Sequence, residues 1–172
     1  MASSRKTLVL RFNRKIAKRI IRAAQHLYSD GLAHGIRNIF QPGLIKEIII
    51  ADILGHRVIS NKRLPDACSA ADESLFYEYL TCEEGGSWQI ERMFSKPLEK
   101  RRTSLDRILR NEKLYLVSFI RDSLDVSVIF EVDPQVAAKE AERQLNASSN
   151  EISHISFSQS WTKVNGTVVW TK

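Results

Sequence analysis

The chain has 172 residues, a net charge of +6, 43% hydrophobic and 27% charged residues, the composition of one soluble domain with a sizeable core. No stretch reaches the ~18 to 20 continuous apolar residues of a membrane span, and no secretory leader is read at the start, so no membrane partner is expected. The two cysteines, Cys68 and Cys82, lack the paired spacing of a zinc ribbon or a disulfide framework and suit reduced thiols in a cytoplasmic protein.

The charge is uneven. Residues 1–30 hold eight basic residues and one acid, Asp30, while the remainder holds 18 basic and 19 acidic residues. Within residues 5–30, Phe12, Ile16, Ile20, Ala23, Ala24 and Leu27 recur at helical spacing, with Arg14, Lys15, Lys18 and Arg22 elsewhere around the cylinder. This predicts a basic amphipathic helix. Three readings compete for it: a helix packed on the core, a helix that touches phosphates or a second copy, and a basic leader of the mitochondrial type.

Pro42-Gly43 breaks the chain before an aliphatic helix over 44–54, which Gly55 caps; Glu47 lies within it. Two β-prone runs follow, 64–68 and 75–82, joined by the polar connector 69–74. A hairpin of this kind brings Asp66 and Glu78 together, and a helix packed beside it can aim Glu47 at the same place. Mg²⁺ needs little more, since one or two carboxylates with water and a substrate phosphate commonly hold it.

The run His34-Gly35-Ile36-Arg37-Asn38-Ile39-Phe40-Gln41, the apolar helix, Pro65-Asp66-Ala67 and Tyr77-Glu78 together resemble the PvuII-like type II restriction endonucleases of the PD-(D/E)xK nuclease superfamily. The likeness runs from about Gly31 to Val132. It implies a single α/β nuclease domain over 1–172, a mixed central β-sheet flanked by helices, with a catalytic core over 31–132. It further implies Mg²⁺ at Asp66 and Glu78, Glu47 as the helix glutamate, double-stranded DNA as substrate and a homodimer joined through the N-terminal helix. One position departs from the pattern: the catalytic lysine expected two residues beyond the glutamate is Leu80. Leucine cannot stabilise a developing phosphate charge. The cation would then come from Arg92, Lys96, Lys100, Arg101, Arg102 or Arg107, or the site is impaired.

Residues 83–93 have the polar, glycine-opened look of a surface loop, which in the resembled family enters the DNA groove. Gln89 suits adenine, Arg92 guanine, and Ser87 either kind of base edge. A helix over 98–111 carries Lys100, Arg101, Arg102, Arg107 and Arg110, as suitable for solvent as for phosphate. Strands are predicted over 114–120 and 126–132, then a helix opened by Asp133-Pro134. The tail, 133–172, is read as this helix and a hairpin turning at 164–167, with Trp161 and Trp170 as packing residues. Ser153 and His154 fall where the resemblance places a second DNA-contacting strand. The function expected from all this is Mg²⁺-dependent hydrolysis of both strands of a short duplex site. The alternatives are an impaired DNA-binding module and a repair nuclease on the same fold.

Overall fold

The computed structural model describes residues 13–61 and 63–172, and the chain divides into two compact units, Met1–Pro42 and Gly43–Lys172. In the first, α1 (Arg14–Ala33) starts where the Asn13 side chain accepts from the Ile16 amide at 2.9 Å, satisfying one of the free amides of the first turn. It stops at His34, followed by Gly35 in the left-handed region. Arg14, Lys15, Lys18, Arg19 and Arg22 stand in solvent, and so do Ile16, Ile20, Ile21 and Leu27. Phe12 and the rest of the expected helix before residue 13 lie outside the described residues.

The second unit begins with α2 (Leu44–Leu54), framed by Gly43 at φ 87° and Gly55 at φ 69°, conformations that a side chain would oppose. Two short strands, β1 (His56–Val58) and β2 (Ala67–Ser69), and the longer β3 (Phe76–Glu83) come next, antiparallel in turn. Then follow β4 (Trp88–Phe94), α3 (Leu98–Leu109), β5 (Lys113–Phe119), β6 (Val126–Val132), α4 (Pro134–Ala147), β7 (Ile152–Phe157), α5 (Gln159–Asn165) and β8 (Gly166–Thr171). The central sheet has the order β1-β2-β3-β5-β6-β8 and is mixed, because β3 and β5 are parallel while its other pairs are antiparallel.

Both faces of this sheet are covered. On one, Leu80, Leu114, Leu116 and Phe130 pack against Ile108 of α3 and against Ala137, Ala141 and Leu145 of α4. On the other, Tyr79, Tyr115, Val117 and Ile129 meet Ile50 and Ala51 of α2. Helices thus flank a mixed sheet, as the nearly continuous apolar run of β5 requires, since both of its faces must be buried.

Two expectations fail. Residues 88–94 are a strand, paired with β7 as a separate two-stranded ribbon, and its Trp88 and Met93 are fully buried. The polar residues between them disguise it: between Ile90 and Met93 the register shifts, so Glu91 and Arg92 together face one residue of β7 and the period of two is broken. The tail is not a hairpin. Ser158 caps α5 by accepting from the Trp161 amide, and Gly166, in extended rather than left-handed backbone, opens β8. Asn165-Gly166 therefore ends a helix; the Asn165 side chain donates back to the Trp161 carbonyl at 2.8 Å. Trp161 packs on Phe157 with ring centres 4.8 Å apart, and Trp170 stands across from Ile129, so both tryptophans serve packing.

Candidate functional site

Asp66 lies directly before β2, where its carbonyl accepts from the Ile59 amide at 2.8 Å. Ala67 pairs with Tyr77, so one step on in the same register Asp66 stands across from Glu78 on β3. The Tyr79 amide donates to Asp66 Oδ2 at 2.9 Å, which orients the carboxylate from the strand that carries Glu78. Glu78 shares its side of β3 with Leu80 and Cys82, and its Oε2 is buried with no hydrogen-bond partner.

Two carboxylates in a partly desolvated place repel each other, and the Glu78 carboxyl is pushed up to about 7. Burial is the largest cause and the charge of Asp66 the next; Arg110 and Arg107 pull the other way, and Glu47 adds a smaller push. Glu47, from the first turns of α2, is buried. Asp66 and Glu47, both named from the sequence, are therefore close enough for their charges to act on Glu78. Among the described residues no group of three or more His, Cys, Asp or Glu side chains is arranged to hold a metal ion. Asp66 and Glu78 thus make a two-carboxylate site with Glu47 as a contributor to its field. Such a site fits Mg²⁺, which keeps waters and takes a phosphate as further ligands. An unpartnered, buried carboxylate oxygen is what an incoming cation would satisfy.

Leu80 is 7% exposed and belongs to the core with Trp88, Met93 and Leu116, so no cation stands at that position. The cations that act on Glu78 come from the end of α3. Arg107 was among the candidates; Arg110, one turn further along the same helix, was not. Arg101 is spoken for, since it reaches the Asn146 side chain at 2.7 Å and Glu142 at 3.6 Å and pins α3 to α4.

The base-reading candidates fall on the β4–β7 ribbon. Trp88, Ile90, Ile155 and Phe157 point into the core, which leaves Gln89 and His154 exposed on the opposite face. Ser87 precedes the ribbon and accepts from the Ser156 hydroxyl at 3.0 Å. Ser153 is engaged with Ser148, oxygen to oxygen, at 2.6 Å. Arg92 is separated from Gln89: its φ of 54° turns it out at the bulge, and it lines a cavity with residues of α3. Sequence reasoning assigned Gln89 and Arg92 to one reading surface because a loop imposes no direction, whereas a bulged strand does.

No protein-family model matches the chain, and a search of curated proteins finds no relative. None of the helices among the described residues is long and apolar enough to cross a membrane.

Proposed function

We propose that the protein is a type II restriction endonuclease: a Mg²⁺-dependent enzyme that hydrolyses both strands of a short, specific duplex DNA site and acts as a homodimer. The observation that carries this reading is the buried Glu78 carboxyl, unpartnered at Oε2 and raised to about 7 beside Asp66. A buried carboxyl held beside a second carboxylate within a mixed sheet is costly to the fold, and perturbed acids of this sort concentrate at functional sites. Asp66, held by the Tyr79 amide, and Glu78 would bind the ion. Mg²⁺ there would polarise a phosphodiester and help a water ionise. Arg107 and Arg110 take the place of the missing lysine as positive charge near the acids, and the outer face of the β4–β7 ribbon, with Gln89 and His154, is presented to bases. A two-stranded ribbon fits the major groove. The reading as a restriction-endonuclease-like fold rests on the motif likeness together with this sheet order.

One observation favours a second reading. Leu80 is sealed in the core, so a chain that depends on a lysine at that position would bind DNA without cutting it.

The test is incubation of a long duplex with the protein in Mg²⁺, and in Ca²⁺ as a control that supports binding. Discrete fragments in Mg²⁺, absent with Asp66→Ala, are the expected result. Site-specific binding without cutting would establish the second reading, and a smear would indicate a nuclease without a fixed site. Cutting by Asp66→Ala at the wild-type rate would overturn the assignment of the acids.

A further inference from the structure

A cavity of about 180 Å³ opens between β4 and α3, lined by Arg92, Phe94, Lys100, Thr103, Ser104 and Arg107. Its lining holds three cations and two hydroxyl-bearing side chains, and no acid. On α3 the residues 100, 103, 104 and 107 recur at the spacing of one helix face, so the helix delivers its part of the lining as a unit. Arg92 arrives from the ribbon by way of the bulge. Arg92 is a non-glycine residue in the left-handed region, which side chains resist, and bulges beside sites commonly serve to re-aim one side chain. The Ser104 hydroxyl accepts from the Phe94 amide at 3.0 Å, which ties the strand to the helix across the cavity floor.

Arg101, on the same helix, is held by Glu142 and Asn146 of α4. Arg92 and Arg107 have no ion-pair partner among the described residues. Lys100 lies over the Phe94 ring at 5.0 Å and has an exposed Glu151 oxygen 3.8 Å away, a contact that water and salt screen heavily. Three like charges gathered round one hollow repel each other. The arrangement is favourable once an anion enters, and guanidinium forks match phosphate oxygens two at a time. The volume is several times the ~30 Å³ share of one water, enough for a phosphate group with part of its hydration.

We propose that Arg92, Lys100 and Arg107 form a phosphate-binding pocket that grips a backbone phosphate of duplex DNA beside the acid pair, so that Arg92 positions the duplex and reads no base. This rests on the reading of the chain as a DNA-binding protein. Arg107, which lines the pocket, also acts electrostatically on Glu78, so one of the pocket's cations lies within reach of the acid pair's field.

The experiment is a titration of a labelled duplex with the full chain in Ca²⁺, over several salt concentrations, on a preferred and a scrambled sequence. Arg92→Ala, Lys100→Ala and Arg107→Ala are compared with Lys139→Ala, an exposed cation on α4. Each pocket variant should bind about 10-fold or more weakly on both sequences alike, with the slope of log K against log salt reduced by about one. Arg107→Lys should recover part of the loss. Inorganic phosphate should raise the melting temperature of the wild type and leave Arg107→Ala unmoved. Wild-type affinity in all three variants would overturn the pocket even if the protein cuts DNA. Loss of binding in the variants would support it even if the protein cuts nothing. A loss confined to the preferred sequence would make Arg92 a base reader and overturn the proposal. Stabilisation by phosphate without any duplex binding would move the pocket to a free phosphoryl ligand and overturn the assignment to DNA.

Discussion

At the scale of a single residue, Glu78 is the buried acid whose carboxyl is raised by its surroundings. Its folded value of about 7 lies above the ordinary 4.5, so the folded state binds this proton more tightly than the unfolded chain. Stability from the neutral carboxyl is complete below 4.5 and is lost as pH rises toward 7, a change on the order of 3 kcal/mol. Melting curves should therefore fall from pH 5 to pH 8 in metal-free buffer, Glu78→Gln should flatten that fall, and Mg²⁺ at pH 8 should restore the wild type without affecting the glutamine variant. A pH-independent melting temperature, or equal Mg²⁺ stabilisation in both proteins, would contradict the two-carboxylate site. Leu80 gives the complementary expectation. A lysine there would carry its ammonium in among Trp88, Met93 and Leu116 at a cost of about 4 kcal/mol, so Leu80→Lys should melt well below the wild type and gain no cutting rate. A large gain in rate would instead identify the wild type as an impaired enzyme.

Among the elements, those bounded by strong local chemistry were legible in the sequence. Gly43 and Gly55 frame α2, Asp133 caps α4 by accepting from the Gln135 amide at 2.7 Å, and β6 occupies the run 126–132 that was expected. The acid pair was legible for the same reason, since a short connector leaves two strands little choice but to pair. Elements whose identity comes from distant partners were not. β4 is a strand because Trp88, Ile90 and Met93 bury against α3 and β7 across a bulge, and α5 takes an Asn-Gly pair that in isolation favours a turn. The cations near Glu78 were undetermined because α3 holds four of them with Arg110 at its C-terminal cap, and only the packing of the helix on the sheet decides which face the acids. The ribbon supplies a test at this scale. Gln89→Ala and His154→Ala should each cost roughly 1 to 3 kcal/mol on the preferred site and little on a scrambled one, in binding titrations with Ca²⁺. Equal losses on both duplexes would show that this face positions the DNA and that the bases are read elsewhere.

For the whole molecule, cutting both strands of a two-fold site is met most simply by a two-fold protein. On the proposed reading the exposed Ile16, Ile20 and Leu27 of α1 would be the apolar surface for that contact, and Ile16→Asp with Ile20→Asp should then shift sedimentation from dimer to monomer. A wild-type monomer, free and on DNA, would count against it. The parallel pairing of β3 with β5 bears on how the chain reaches its form. Glu78 is flanked on one side by a strand a few residues upstream and on the other by Leu114, with the whole of β4 and α3 between. Closing that long excursion is slow compared with forming a hairpin. As the protein leaves the ribosome, the acid hairpin emerges complete while the strand and helix that bury it are still to be made. At that stage Glu78 lacks the burial that is the largest cause of its raised carboxyl. In pulsed hydrogen exchange we expect the amides joining β2 to β3 to be protected before those joining β3 to β5, so that the molecule is born without its perturbed acid and acquires it in the last steps of folding.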